Sequence, residues 1–326
     1  MSGIDEIKQA LEQEDLRCVD SESFKTTANM RAGVMHLLNH PEEDEGLPLL
    51  WKNVDLVLKP EMYVVTGIPS SGKSTWLDNV LMNSIKMHKK KWAVFSPESH
   101  PIELHMKQLI EIGTSTNFHG LWNGKKTSEE KIDKVLDYLA DKLFMMTPTG
   151  ENLKIERLLE LAEFLVEEYG VTDVLIDPYN EFSHTRNTSI SETEYVSQFL
   201  GDIRRFINKH GVAVWIVAHP AKLRKVEMIL SDGSRGEDYP VPTAYDISGS
   251  ANWYNKPDNV IAIHRDKDTQ RNPDNEVTVN VQKVRRKTTG TLGTYPLRFN
   301  YKYSTYEGPT VSGDCGRQYE IQTEAI

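Results

Sequence analysis

Cysteine is nearly absent: the 326 residues include two, Cys18 and Cys315, close to opposite ends of the chain. Two thiols so far apart in sequence build neither a disulfide framework nor a cysteine metal site, and a reducing cytoplasm is the expected setting. No run approaches the ~18 consecutive apolar residues of a membrane span, and the N-terminus lacks a signal-peptide core, so no membrane partner is expected. Positive charge is also scarce overall, with 38 Lys and Arg against 48 Asp and Glu. A net charge of −10 argues against a nucleic-acid partner until it is divided along the chain. Residues 1–50 hold eleven acids and four bases, a net of −7, which leaves −3 for the other 276 residues. From Val277 to Tyr306 there is no acid at all, against Lys283, Arg285, Arg286, Lys287, Arg298 and Lys302. Overall acidity therefore leaves room for a locally basic channel.

Hydrophobic residues make up 38 % and charged residues 26 %, as in a globular protein with a sizeable core. Met62-Tyr63-Val64-Val65 suits a buried strand, and Trp76 to Met82 carries apolar residues at helical spacing. Between them stands Gly67-Ile68-Pro69-Ser70-Ser71-Gly72-Lys73-Ser74-Thr75, which fits the phosphate-binding pattern G-x-x-x-x-G-K-S. Gly67 and Gly72 let the backbone curl so that the N–H groups of Ser70, Ser71 and the opening helix converge on phosphate oxygens. Lys73 would reach the β- and γ-phosphates, and the Ser74 hydroxyl would hold Mg²⁺. The stretch predicts a nucleotide site for ATP and Mg²⁺.

From Leu49 onward, strands alternate with helices. Strands are expected at Trp92–Ser96, Leu143–Met146, Val171–Ile176, Val212–Ala218, Asn259–His264, Val277–Val284 and Leu297–Tyr303. Helices are expected over Glu103–Ile112, Ser128–Asp141 (with Ser128 as N-cap), Leu153–Glu168 (ended by Gly170) and Glu192–Asn208. This order predicts an α/β fold with a mainly parallel sheet covered on both faces, and an antiparallel edge added by the strand-rich C-terminal part. Residues 1–48 read as an acidic arm with helices over Ile4–Leu16 and Met30–Leu38, followed by a core over 49–306 and a tail over 307–326. The arm either docks on a neighbouring subunit or is an acidic tail with local helix. The polar stretch Lys222–Asp246 is long for a connection and reads as a functional loop.

Several residues stand where chemistry needs them. Asp177 ends an apolar strand and would hold Mg²⁺ beside Ser74; a plain strand-ending aspartate is the alternative. Proline follows Asp177, so no second acid adjoins it, and Glu98, at the end of another strand, is the best candidate for the base that activates water. Its alternative is a solvated turn glutamate. His219 follows a third strand end, either contacting the γ-phosphate or simply hydrogen-bonded at the surface. Lys283 and Arg285 leave one face of a strand, a pairing that would neutralise a transferring phosphoryl group or be a solvated face. Lys222, Arg224 and Lys225 either grip DNA phosphates or form an exposed charge run. Phe299 and Tyr301 either stack on the base of the nucleotide or pack in the core.

Gly67–Ser74, Phe95-Ser96-Pro97-Glu98, Leu175-Ile176-Asp177 and Val217-Ala218-His219-Pro220, in that order, resemble the successive motifs of RecA-like hexameric replicative helicases of the DnaB and Twinkle branch. Two later stretches add to the likeness: Ile247-Ser248-Gly249-Ser250-Ala251-Asn252-Trp253 leading to Asp258-Asn259-Val260, and Lys283-Val284-Arg285 leading to Thr289-Gly290-Thr291. The resemblance spans about residues 45–305. It implies a RecA-like P-loop ATPase core and an ATP-driven motor on single-stranded DNA that unwinds duplex in the 5′→3′ direction. It implies a homo-oligomer, a hexameric ring, with a loader or primase as a possible partner, in a bacterial or phage-infected cell. Glu98 would then activate water, His219 would sense the γ-phosphate, and Lys283 and Arg285 would reach the adjacent subunit's ATP. Loops at about 181–195 and 222–246 would hold DNA. No primase-like or zinc-binding portion precedes the core, so primase activity is not implied. A recombination- or clock-type ATPase, and a nucleotide switch that regulates a partner, are the other two functions compatible with the residues.

Overall fold

The computed structural model describes residues 26–40, 45–121, 124–148, 154–183, 190–221, 223–229, 235–248, 251–266 and 275–308. The expected helix at Ile4–Leu16 and the residues Lys222, Gly249 and Ser250 lie outside them. The chain divides into two compact units, residues 1–45 and 46–326. In the first, helix α1 (Thr27–Asn39) is capped by Thr26, whose hydroxyl accepts from Asn29 N at 3.2 Å. Met30, Val34, Leu37 and Leu38 are exposed at a spacing that makes one apolar stripe along it.

The second unit carries, in chain order, β1 (Leu47–Pro48), β2 (Val57–Leu58), β3 (Met62–Thr66), α2 (Lys73–His88), β4 (Trp92–Phe95), α3 (Ile102–Thr114), α4 (Glu129–Leu139), β5 (Leu143–Met145), α5 (Ile155–Tyr169), β6 (Asp173–Ile176), α6 (Asn180–Ser183), α7 (Glu192–His210), β7 (Ala213–Val217), β8 (Val226–Ile229), β9 (Arg235–Asp238), α8 (Asn252–Asn255), β10 (Asn259–His264), β11 (Glu276–Val284), β12 (Gly293–Asn300) and β13 (Thr305–Glu307). Local signals account for the helix ends. Ser128 caps α4 by accepting from Lys131 N, Ser191 and Glu194 form a reciprocal capping box at α7, and Gly170 ends α5 with φ of 70°.

Nine strands form one sheet in the order β13-β12-β11-β10-β3-β7-β6-β4-β5. The six from β10 to β5 run parallel, and β11, β12 and β13 continue antiparallel. The α/β fold with an antiparallel C-terminal edge is thus the one the sequence predicts. Alternation along β3 feeds two cores: Tyr63 and Val65 face α2 and α3, while Met62 and Val64 face α5 and α7. Tyr63 stacks on Trp215 at 4.0 Å between ring centres, so the first core is partly aromatic. The 222–246 segment departs from a plain loop: Val226–Ile229 and Arg235–Asp238 pair as an antiparallel hairpin.

Candidate active site

β3, β7, β6 and β4 are consecutive and parallel, so their C-terminal ends share one edge of the sheet. Each end delivers one of the residues singled out from the sequence: the Gly67–Thr75 loop after β3, His219 after β7, Asp177 after β6 and Glu98 after β4. Main-chain bonds fix the spacing of these ends, with Asp177 N donating to Phe95 O at 2.9 Å and Ala218 N to Val65 O at 3.0 Å. A cleft of about 450 Å³ lies here, lined by Pro69, Ser70, Gly72, Lys73, Ser74, Thr75, Glu98 and His219.

Lys73 Nζ donates to the carbonyls of Gly67 at 2.8 Å and Ile68 at 3.1 Å, so the ammonium lies within the curl of the loop. Neither flanking glycine tolerates a side chain. A Cβ on Gly67 would stand 2.4 Å from Ile263 O, and one on Gly72, where φ is +93°, would stand 2.3 Å from the Tyr306 hydroxyl. The buried hydroxyls of Thr66 and Ser71 have no hydrogen-bond partner among the described residues. A collar of backbone N–H groups, one lysine and two such hydroxyls fits a triphosphate.

Asp177 is buried and hydrogen-bonded to Ser74. Burial pushes its pKa up to about 6; the charges of Asp78 and Glu98 push the same way, while Ser74 and Lys73 oppose them. A carboxylate in that position gains by meeting a cation, and a hydroxyl beside it completes the hard-oxygen donor set that suits Mg²⁺. Glu98 stands on a short 3-10 turn, Pro97–Ser99, with its side chain 56 % exposed. His219 Nε2 lies 3.9 Å from Glu98 Oε1. Burial and then Lys73 lower the His219 pKa to about 4, which keeps the imidazole neutral at physiological pH.

His219 also joins the cleft to both candidate DNA loops. Its N–H donates to Asn180 Oδ1 at 3.3 Å, in α6, which leads into 184–189. The neighbouring Pro220 bridges Ile247, and Ala221 N donates to Asp246 O at 2.6 Å, at the far end of the 222–246 segment. Ser248, two residues beyond that segment, donates from Oγ to Glu192 Oε1, at the start of α7, at 2.8 Å. Arg224 and Lys225 are exposed just before β8, with Lys225 Nζ 5.7 Å from the centre of the Tyr239 ring.

Lys283 and Arg285 are not in this cleft. β11 runs antiparallel to β10, so it returns to the opposite edge of the sheet; Lys283 pairs with Val260, and Arg285 N donates to Asp258 O at 2.9 Å. Asp258 in turn receives Met62 N at the start of β3, five residues before Gly67, which is about 16 Å of strand. Phe299 packs against Tyr306 at 5.1 Å, and the Arg265 guanidinium lies 5.1 Å from the more exposed Tyr301 ring.

Sequence reasoning missed three groups. Tyr306 donates to the Gly72 carbonyl at 3.0 Å, and Asp258 holds both Arg204 and Arg285. Asp78, one turn along α2 from Ser74, accepts from His105 Nε2 and Gln108 Nε2, both at 2.8 Å. Burial depresses the His105 pKa, but the hydrogen bond and charge of Asp78 outweigh it and leave the pKa raised.

The comparisons with known proteins agree with this geometry. A family model described as the DnaB-like helicase C terminal domain matches residues 50–308. The chain is 36 % identical over 274 residues to the Twinkle homolog protein, chloroplastic/mitochondrial, of Arabidopsis thaliana, covering 82 % of this chain and 37 % of that protein. It is 22 % identical over 256 residues to a probable replicative DNA helicase of Trieres chinensis, covering 76 % of this chain and 53 % of that protein. The chain therefore spans between about a third and about half of the length of these relatives. A solved ATPase domain superposes with a TM-score of 0.65 at 17 % identity, over 86 % of this chain and 98 % of that one, a likeness of fold. With most of its length inside the family model, and with the nucleotide cleft built on the matched strands, the chain belongs to the DnaB-like helicase C-terminal domain family.

Proposed function

We propose that the chain is an ATP-driven motor on single-stranded DNA, unwinding duplex in the 5′→3′ direction as a homo-oligomeric, hexameric ring that hydrolyses ATP at its subunit interfaces. The observation that carries this reading is the division of the site between two edges of the sheet. Lys73, Ser74, Asp177, Glu98 and His219 share one edge, while Arg285 stands at the other and cannot meet the phosphates of its own chain. A ring of identical subunits brings the two edges together.

Within such a site, the loop N–H groups and Lys73 bind the β- and γ-phosphates. Ser74 and Asp177 would hold Mg²⁺, which would supply positive charge against the phosphates. Glu98 takes the proton from the attacking water, and its exposure on the cleft side leaves room for that water. Neutral His219 donates a hydrogen bond to the γ-phosphate, and the main-chain bonds of His219 to Asn180 and of Ala221 to Asp246 carry loss of that contact to both DNA loops. Arg224 and Lys225, with Lys222, contact DNA phosphates, and Tyr301 beside Arg265 offers a face for the base of the bound nucleotide. The apolar stripe of α1 docks on a neighbouring subunit. A primase or loader is the expected further partner, and the few cysteines suit a reducing compartment. No helix among the described residues is long and apolar enough to cross a membrane.

Dilution tests the shared site. Particle size and turnover with single-stranded DNA should fall together as the protein is diluted below its assembly range. Monomers that hydrolyse ATP as fast per chain as the assembled form would overturn the reading, and failure to separate forked DNA would reduce the motor to translocation.

A further inference from the structure

Three cations converge on one short turn, residues 254–258, at the sheet edge remote from the nucleotide cleft. Lys283 Nζ donates to the carbonyls of Tyr254 at 2.5 Å, Pro257 at 2.8 Å and Asn255 at 3.1 Å. An ammonium has three donors, and all three are committed to the turn. Arg285 is held differently. Its Nη2 donates to Asn255 O at 3.2 Å and Lys256 O at 3.1 Å, and its Nη1 lies 3.2 Å from Asp258 Oδ1. These contacts leave the Nε–H and one Nη1 hydrogen unclaimed by the described residues, and the side chain is 45 % exposed.

Asp258 itself is anchored. Its Oδ2 accepts from Met62 N at 2.9 Å and from Arg204 Nη1 at 2.6 Å, and its side chain is 5 % exposed. Arg204 belongs to α7, and its Nη2 also donates to Lys256 O at 2.8 Å. One oxygen of the carboxylate is thus tied to the first residue of the P-loop strand and to a long helix, and the other is offered to Arg285. The cluster of Arg204, Lys283 and Arg285 around a single carboxylate keeps an excess of positive charge, which suits an approaching polyanion.

We propose that Asp258 is the positioning residue for Arg285: it fixes the guanidinium and leaves its unclaimed N–H hydrogens for the triphosphate of the adjoining subunit. The inference rests on the reading of Arg285 as acting on a neighbour's nucleotide. Lys283 anchors the turn on which Arg285 leans. A guanidinium on a long flexible chain stabilises a transition state only if its geometry is set beforehand, and Asp258 supplies that setting.

The test uses the assembled full chain with Mg²⁺, ATP and single-stranded DNA. Asp258→Asn should lower kcat by about 10- to 100-fold, the scale of a misplaced catalytic group, while leaving ATP KM and particle size unchanged. Arg285→Ala should lose about 10³-fold. Added to Arg285→Ala, Asp258→Asn should cost less than about twofold more, because the two act as one unit. Arg204→Gln breaks the other arginine on the same carboxylate and should keep kcat within about threefold of wild type. Additive losses in the double variant, or equal losses in Asp258→Asn and Arg204→Gln, would show a structural role and overturn the proposal. If Asp258→Asn does not assemble, Asp258→Glu, which keeps the charge but shifts the carboxylate by one methylene, answers the same questions. Wild-type turnover in Arg285→Ala would instead sink the reading of Arg285 itself.

Discussion

The Tyr306 hydroxyl donates a 3.0 Å hydrogen bond to the Gly72 carbonyl, joining the C-terminal edge strand to the phosphate loop across 234 residues. The same oxygen fills the space that a Cβ on residue 72 would need, at 2.3 Å. Burial raises the Tyr306 pKa, so the phenol stays a donor at any working pH. Tyr306→Phe keeps the ring in the core and removes one of the two bonds on the Gly72 carbonyl, which still accepts from Trp76 N at 2.8 Å, and should cost about 1 kcal/mol of stability. Nucleotide affinity should fall several-fold with it. Gly72→Ala should be far worse, since the strained φ and the clash act together. Titration of a fluorescent nucleotide measures both; equal binding by Gly72→Ala and wild type would remove the loop from the site.

Lys73→Ala and Glu98→Gln should fail in different ways. The first removes the cation inside the loop, so binding weakens and hydrolysis is abolished. The second leaves the loop intact: ATP binding persists while turnover falls by about 10²-fold or more, the scale of a lost general base. Binding and single-turnover rates measured on both variants separate the cases. If Glu98→Gln loses both together, Glu98 is a structural or metal-linked group.

The features legible in the sequence are those written locally. The P-loop, the capping Ser128, the Gly170 stop and the Asn259–His264 strand all carry their signal within a few residues. The parallel order then placed Glu98, Asp177 and His219 on one edge without further information. The 226–238 hairpin escaped because Arg-Gly-Glu-Asp has no strand propensity and pairs only with Val226–Ile229. β13 is three residues long, and Tyr306 within it owes its role to a partner far away in sequence. Asp258 stands out in the sequence only as part of a family-like stretch and Asp78 not at all, because a buried acid's role is explained by its partners, and Met62, Arg204, His105 and Gln108 lie 27 to 196 residues away. The resemblance already implies that Arg285 acts on an adjacent subunit's ATP, and the antiparallel course of β11 sets it at the edge opposite the cleft of its own chain.

Asp177 should destabilise the nucleotide-free protein near neutral pH. Its pKa of about 6 lies above the usual value near 4, so the proton is bound more tightly in the folded chain. The stability this group contributes is therefore full below about pH 4 and lost as pH rises through about 6. Asp177→Asn removes the buried charge and should stabilise the protein by up to about 3 kcal/mol at pH 8, with little effect at pH 4. The same variant should lose Mg²⁺-dependent hydrolysis. Thermal unfolding in chelator, without nucleotide, at the two pH values is the measurement. A stability difference that does not change with pH would show that burial does not disfavour this carboxylate.

DNA binding should be electrostatic and largely indifferent to sequence, because the candidate loops offer cations and their sequence shows no base-reading pattern. Arg224 and Lys225 are exposed ahead of the β8–β9 hairpin, and Lys222 precedes them in the chain. Contact with single-stranded phosphates releases about 0.7 of a counterion per contact, so replacing all three by alanine should flatten the slope of log K against log salt by about 2. Nucleotide binding should be unchanged, since Arg224 and Lys225 do not line the cleft. Lys225 has a competing role, packing over Tyr239, and a loss confined to Lys225→Ala would point to a weakened hairpin. Substituting residues singly separates the two: phosphate contacts each remove a similar part of the slope, whereas hairpin damage lowers affinity at every salt concentration by the same factor. An unchanged slope in the triple variant would move the DNA path to the 181–195 segment, which His219 reaches through Asn180.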